Sequence, residues 1–275
     1  MKKILVPCDF SNPAIQAFKL ASEIASSSKG EIYLLNVVEM PVLHSSLIVP
    51  VNTYENTFLK ELKEKANKNF NKITEKWAKK VKVHLIIQQG TVAAAVNKFA
   101  SSKKIDLVIM GTHGSSGFRE YAIGSNAEKI VRSSKVPVIA VRNAPRSASF
   151  KDIIFPTDLS LDHKHLISSI KALQNFFKAK LHILHVNVPA NFERNISSEK
   201  RLNDFVNHNH FKNYTINIYN DIDAEEGIIN FSSRFKNKLI AMSTHGRKGL
   251  SHLLNGSIAE DVVNHIDCPI WTSVE

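Results

Sequence analysis

The chain contains two copies of one residue pattern, which consists of a carboxylate, glycines and a Gly-Ser pair. These residue types could together hold a ligand. In the first copy Asp9 ends a short apolar run, and Gly111, Gly114 and Gly124-Ser125 follow in the pattern G-x-x-G-x9-G-S. Glycine lets a ligand approach the backbone closely. The N–H groups at a helix N-terminus attract phosphate. The pattern predicts a phosphate-binding crevice, with Ser125 as the N-cap of a helix.

The second copy of the pattern is incomplete. Four of its residues are retained, namely Asp158, Gly246, Gly256 and Ser257. Ser243 stands where the first copy has Gly111. If that position needs a positive φ, serine strains the backbone by roughly 1–3 kcal/mol. We therefore expect one tightly bound ligand per chain, in the first copy.

The copies belong to two halves of a duplicated chain. Residues 2–11 read KKILVPCDFS and residues 151–160 read KDIIFPTDLS, while residues 111–125 and 243–257 carry the two glycine patterns. Small polar residues around Pro145 mark the boundary. The prediction is a first domain over residues 1–145 and a second over residues 146–275. The second is shorter between its second and third strands, where 188–211 replaces 38–81.

Apolar and amphipathic segments alternate in both halves. Predicted strands of the first half are Ile4–Val6, Glu31–Val38, Val81–Gln88, Ile105–Met110 and Val136–Val141, and predicted helices are Asn12–Ser28, Thr53–Lys80, Thr91–Ser102 and Ser125–Ser134. Predicted strands of the second half are Ile153–Phe155, Leu181–Val186, Thr215–Tyr219, Leu239–Met242 and Ile270–Ser273. This alternation predicts an α/β fold with a parallel sheet and helices on both faces. Ligands of such sheets bind beyond the carboxyl ends of the strands.

Positive charge is concentrated in the first half. The chain has a formal net charge of +11, and residues 1–145 carry +10 of it, with 21 Lys and Arg against 11 Asp and Glu. Nine lysines lie between Lys60 and Lys82 on an amphipathic helix. A solvated helix face is the simplest interpretation, and an anionic partner is the alternative. The uneven distribution makes a nucleic-acid partner unexpected.

Several functional classes lose support from the motifs. The two cysteines, Cys8 and Cys268, form neither a disulfide framework nor a zinc motif. The histidines show no metal-binding spacing, and His113 is interpreted as a loop residue rather than a general base. Neither a P-loop, a dinucleotide fingerprint nor a nucleophile elbow is present. The apolar run near the N-terminus is too short for a signal core, and no run is long enough to span a membrane. We expect a soluble, cytoplasmic protein.

The motifs resemble those of the universal stress protein family, in a tandem arrangement that covers nearly the whole chain. The resemblance is carried by residues 6–11 (VPCDFS), 110–114 (MGTHG), 124–125 (GS) and 136–138 (VPV), with their counterparts in the second half. It implies two Rossmann-like domains, each a five-stranded parallel sheet of order 3-2-1-4-5 flanked by helices. It also implies pairing of the two final strands, so that the domains pack as a pseudo-dimer.

The resemblance further implies that ATP, with or without Mg²⁺, or another adenine nucleotide is bound. By position, Asp9 and the backbone near Val37 would face the adenosine, and the glycine pattern would hold ribose and phosphates. The nucleotide-binding residues implied for the first half are Pro7, Cys8, Asp9, Val37, Met110, Gly111, His113, Gly114, Gly124, Ser125 and Asn126. Those implied for the second half are Asp158, Val186, Gly246, Gly256 and Ser257. Asn126 departs from the apolar residue usual in the family.

The function implied is a stress-response protein that acts as a nucleotide sensor or adaptor, without catalytic residues. A slow ATPase or nucleotidyl-transfer enzyme could use the same crevice, and a nucleotide-free scaffold would use only the surfaces. The expected partners are an adenine nucleotide and the other half of the chain. A further homodimer is left open.

Overall fold

The computed structural model of the chain describes residues 1–39, 51–112, 124–159, 164–243, 266 and 268–273. Its centre is one ten-stranded sheet of order β3-β2-β1-β4-β5-β10-β9-β6-β7-β8. The strands are β1 Lys3–Pro7, β2 Glu31–Val38, β3 Lys82–Gln89, β4 Leu107–Gly111, β5 Val138–Val141, β6 Asp152–Pro156, β7 Lys180–Asn187, β8 Tyr214–Asn220, β9 Lys238–Ser243 and β10 Ile270–Ser273. The described helices are α1 Asn12–Ser28, α2 Val51–Trp77, α3 Val92–Lys103, α4 Ser125–Ser133, α5 Lys164–Phe177, α6 Asn195–Asn209 and α7 Ala224–Ser232.

Each half forms a parallel sheet with the strand order implied by the family resemblance. In the first half β1 lies between β2 and β4, and in the second half β6 lies between β7 and β9. The α/β fold class predicted from the alternation of segments is confirmed. From β1 and from β6 the chain first adds strands on one side and then on the other, and this change of winding opens a crevice at the carboxyl ends of these strands.

The two halves join through their final strands. β5 and β10 pair antiparallel, with Ile139 opposite Trp271, as the exposed edges of two parallel sheets invite. One buried core cluster runs across this junction and contains Ile139 and Val141 from the first half together with Phe150, Ile153 and Trp271. The final strands of the two halves are therefore paired in the structure, and the two halves share a core.

The connection between the halves is held against the first half. The backbone N–H of Ala148 donates to the carboxylate of Glu23 on α1 at 2.6 Å. Ala148 itself is buried, and the N–H of Ala144 donates to Gln16. The small polar residues around Pro145 therefore do not form a free linker. They pack on α1, because their backbone N–H groups donate to Gln16 and Glu23 on the surface of that helix.

Most element boundaries differ from the sequence predictions by one to three residues. The first helix agrees fully, because its boundaries have local signals: Ser11 accepts from the N–H of Ala14 as N-cap, and proline opens the first turn. The long lysine-rich helix ends at Trp77 rather than Lys80. The shortening of the second half falls where expected, because α6 and a short 3₁₀ helix, Pro189–Asn191, replace the longer α2.

Candidate functional site

A crevice opens at the carboxyl ends of β1, β2 and β4, between the N-termini of α1, α3 and α4. It is lined by Pro7, Cys8, Asp9, Ala14, Leu35, Val37, Val92, Met110, Gly111, Thr112, Gly124, Ser125, Asn126 and Ala127. The cavity volume is about 110 Å³, below the roughly 300–1,000 Å³ of complete small-molecule sites. These residues therefore enclose room for one part of a ligand. Nine of the residues predicted from the sequence meet here.

Asp9 lies at the entrance of the crevice on a strained turn between β1 and α1. Its Oδ1 accepts from the backbone N–H of Ser11 at 3.0 Å. Phe10, between them, has a φ of 62°, a left-handed conformation that costs a non-glycine residue about 1–3 kcal/mol. Such strain occurs where a side chain must be held in one orientation. The turn fixes the Asp9 carboxylate at the exposed rim.

Gly111 is required for a different reason from the one expected. Its φ is not positive; instead, a Cβ there would lie 2.6 Å from the carbonyl carbon of Pro13 and 2.7 Å from its oxygen. Gly111 therefore lets the first turn of α1 approach the end of β4. The condition under which serine would strain the backbone, a positive φ, is met neither at Gly111 nor at its counterpart Ser243. The constraint at Gly111 is instead steric contact between two backbones.

The N-terminus of α4 forms the other wall of the crevice. Gly124 is the N-cap and Ser125 is the first helical residue, so the predicted Ser125 cap is corrected by one position. Ser125 and Asn126 are exposed, and their N–H groups precede the first residues that have intrahelical acceptors. Gly124 is held in place by donation from its N–H to the carbonyl of Thr112. The helix thus directs two N–H groups and its positive dipole end to the crevice.

Cys8 lines the crevice with a buried, protonated thiol. It is 4% exposed, and burial raises the pKa of its thiol to about 12. Its N–H donates to the carbonyl of Leu35, and its own carbonyl accepts from Asn36. Since the thiolate is the nucleophilic form, the raised pKa makes Cys8 a poor nucleophile, and the residue packs in the floor of the crevice.

Five lining residues were not predicted from the sequence: Ala14, Leu35, Val92, Thr112 and Ala127. Thr112 and Ala127 adjoin the glycine pattern and could have been included on that basis. Leu35 and Val92 carry no chemical signal, because an apolar residue in a strand or a first helical turn is ordinary. Only the packing of α3 against the sheet brings Val92 beside Val37.

The second half repeats the strand-to-helix turn. The N–H of Thr157 donates to the carbonyl of Leu184, as that of Cys8 donates to Leu35. Leu159 follows Asp158 with a φ of 66°, as Phe10 follows Asp9. The duplication therefore extends to backbone geometry, and Asp158 occupies the position equivalent to Asp9.

The surroundings of Asp158 differ from those of Asp9. Arg201 on α6 donates to the carbonyl of Asp158 at 3.1 Å and pairs with Glu193. His185 bonds the backbone of Thr157, as Asn36 bonds that of Cys8, and the His185 Nε2 is buried without a partner. Burial lowers the pKa of His185, and the nearby Arg201 guanidinium adds to this effect. Side chains of the second half itself thus lie over the end of β6.

Val186 also has a different role from its counterpart Val37. Val37 lines the open crevice of the first half. Val186 packs directly on α7, where a Cβ added to Gly227 would lie 2.4 Å from the Val186 Cγ1. The glycine therefore allows α7 to close against β7 at this point.

Predicted site residues His113, Gly114, Gly246, Gly256 and Ser257 lie outside the described residues, and their role stays a prediction. Within the described ranges, no group of three metal-ligating side chains occurs. No described helix is long and apolar enough to cross a membrane.

Residues 1–142 and 217–273 match the sequence model of the universal stress protein family. The chain belongs to the universal stress protein family. Its matched segments include the whole first crevice and, in the second half, β9 and β10.

Individual relatives match about half of the chain. Universal stress protein MJ0531 of Methanocaldococcus jannaschii is 33% identical over 143 residues, which covers 51% of this chain and 82% of that protein. Universal stress protein MJ0577 of the same organism is 29% identical over 153 residues, covering 51% and 94% respectively. A solved universal stress protein from Archaeoglobus fulgidus covers 99% of this chain and 98% of its own, with a TM-score of 0.76 at 20% identity. That structure supports the fold over both halves.

Proposed function

We propose that the first half of the chain binds ATP or another adenine nucleotide and that the protein acts as a stress-response sensor or adaptor. The observation that carries the proposal is the crevice in which the Asp9 carboxylate, an apolar wall and the N-terminus of α4 face one space. An apolar wall suits a base, a carboxylate accepts from amino or hydroxyl groups, and free N–H groups at a helix start suit phosphate. Membership of the family supports the same ligand class.

Different parts of the crevice would bind the base and the phosphates of the nucleotide. Leu35, Val37 and Val92 offer apolar surface for a base. The N–H groups of Ser125 and Asn126 would hold phosphate oxygens, with the dipole of α4 adding to the attraction. Asp9 at the rim would bond the base or ribose. None of these groups is placed as a nucleophile, which favours a binding protein over an enzyme.

We propose further that the second half binds nucleotide weakly or not at all. Arg201 lies against Asp158, and Val186 packs on Gly227. A nucleotide in the equivalent place would have to displace the Arg201–Glu193 pair. The second domain, taken as residues 146–275, then acts mainly as the partner of residues 1–145 in a cytoplasmic pseudo-dimer joined through β5 and β10.

Calorimetric titration of the full chain with ATP, with and without Mg²⁺, tests the proposal. Asp9→Ala should weaken binding by about tenfold or more, the value of a lost hydrogen bond to a charged group. Asp158→Ala, the matched change in the second half, should leave the affinity unchanged. Absence of both heat and thermal shift at millimolar ATP would refute nucleotide binding.

Stoichiometry and turnover separate the remaining alternatives. Mass spectrometry of ligand released from the native protein should give one nucleotide per chain, and two would contradict the asymmetry of the halves. Phosphate release in the same samples distinguishes a slow ATPase from a sensor. Turnover that disappears in Asp9→Ala would assign the protein to the enzymes.

A further inference from the structure

The outer face of α2 carries a row of lysines that the fold does not require. Lys65, Lys68, Lys72 and Lys76 recur every three or four residues, so they project from one side of the helix, and all four are exposed. We call these four residues the lysine ridge. The ridge extends over about 16 Å along the helix axis.

No ridge lysine forms an ion pair within the described part of the chain, although Glu61, Glu64 and Glu75 lie on the same helix. The ion pairs found there lie elsewhere, and none includes Lys65, Lys68 or Lys72. Like charges four residues apart destabilise a helix. The equivalent helix of the second half, α6, has one lysine and one arginine against two acidic residues and occupies the same place in the fold. The ridge is therefore a property of this helix and not of the architecture.

An exposed aromatic ring stands at the end of the ridge. Trp77 is 39% exposed. The ammonium of Lys76 lies 5.1 Å from its ring centroid, and that of Lys19 on α1 lies 4.3 Å away. A row of cations that ends in an exposed aromatic ring matches the way proteins bind single-stranded nucleic acid, through backbone phosphates and base stacking.

We propose that the lysine ridge and Trp77 form a binding surface for single-stranded nucleic acid. An anionic membrane fits less well, because Ala66 and Ile73 hold the apolar face of α2 in the core. Among the described side chains of the helix, Trp77 is the one large apolar group that is exposed, whereas membrane-binding helices present a wide apolar face. Lysines act as mobile point charges, which suits a repeating phosphate backbone and contact without sequence preference. This partner was unexpected from the charge distribution of the sequence alone.

The test is fluorescence titration of the full chain with an oligouridine, which carries no adenine for the crevice. The chain has two tryptophans, and Trp271 is 1% exposed, so quenching reports Trp77. Four phosphate contacts predict a slope of log K against log salt of about −3. Changing all four ridge lysines to Gln should weaken binding at least about tenfold, and Trp77→Ala should remove the quenching and weaken binding by about tenfold.

The matched control changes four exposed lysines of the second half to Gln: Lys151, Lys178, Lys200 and Lys212. This control and Asp9→Ala should keep wild-type affinity for the oligouridine. The proposal is overturned if no binding occurs at low salt, or if the ridge and control variants lose affinity equally. It is also overturned if base-free polyphosphate or phosphatidylserine vesicles bind as tightly as the oligouridine.

Discussion

Replacing Trp271 by Ala should destabilise both halves of the chain. Trp271 is 1% exposed on β10 and lies opposite Ile139 of the first half. A buried Trp removes about 150–250 Å² from water, which at about 25 cal/mol per Å² corresponds to roughly 4–6 kcal/mol. Its Nε1 is buried without a partner, a penalty of about 1–3 kcal/mol that the substitution relieves. These two terms leave about 1–5 kcal/mol, and the cavity left by the ring adds to the cost, so we expect a net loss of about 3–5 kcal/mol.

Urea denaturation measures this loss, with Trp271→Phe as the control. Phe removes the unpaired N–H but keeps most of the apolar volume, so its cost should stay below about 2 kcal/mol. In both variants Trp77 is the remaining tryptophan and reports the first half. Because the core cluster spans the junction, the Trp77 transition should move to lower urea in Trp271→Ala together with the circular dichroism signal.

Limited trypsin digestion gives a second measurement of the same effect. Arg146 is exposed in the connection between the halves, and opening of the shared core should accelerate cleavage after it in Trp271→Ala. An unchanged Trp77 transition, with only part of the dichroism signal displaced, would refute the shared core. The halves would then unfold as separate bodies.

Three further predictions follow from local contacts. Gly227→Ala should cost up to about 2 kcal/mol in urea denaturation, because overpacking against Val186 exceeds the gain in helix propensity. The added change Val186→Ala should restore stability, and additive effects would contradict the close contact. The pKa of Glu31 is lowered, first by its hydrogen bond with His84, so its stabilising contribution is present above the ordinary pKa of 4.5 and is lost as pH falls through the folded value. The stability difference between wild type and Glu31→Gln should therefore shrink in acid, and a pH-independent difference would contradict this assignment. Cys8 should resist alkylation near pH 8 until the chain unfolds, because only the thiolate reacts; mass spectrometry that finds rapid native labelling would exclude the buried thiol.

Sequence reasoning succeeded where the signals are local or repeated. Ser11 and Pro13 mark the start of α1 because capping involves neighbouring residues. The alternation of apolar runs and helices predicts the fold class because each element buries one side of its own periodicity. The Asp9 motif is repeated around Asp158, and this repetition reveals the duplication and the resemblance to the family.

What a motif residue does was less predictable than where it lies. Gly111 belongs to the ligand pattern, but its lack of a side chain serves the approach of Pro13 on a different element. Ser125 appeared to be a cap, yet Gly124 caps the helix. In both cases residue type is compatible with several backbone geometries, and the choice depends on packing with segments distant in the sequence.

The sequence by itself determined the duplication, the α/β alternation, the glycine pattern and the excess of lysine in the first half. Only the tertiary structure decided that Arg201 reaches the end of β6 at Asp158, that Trp271 completes a core shared by both halves, and that Trp77 remains exposed beside Lys76. The physical reason is that periodicity and capping act over a few residues. Contacts between elements depend instead on side-chain shape and on sheet order, which a linear pattern does not record.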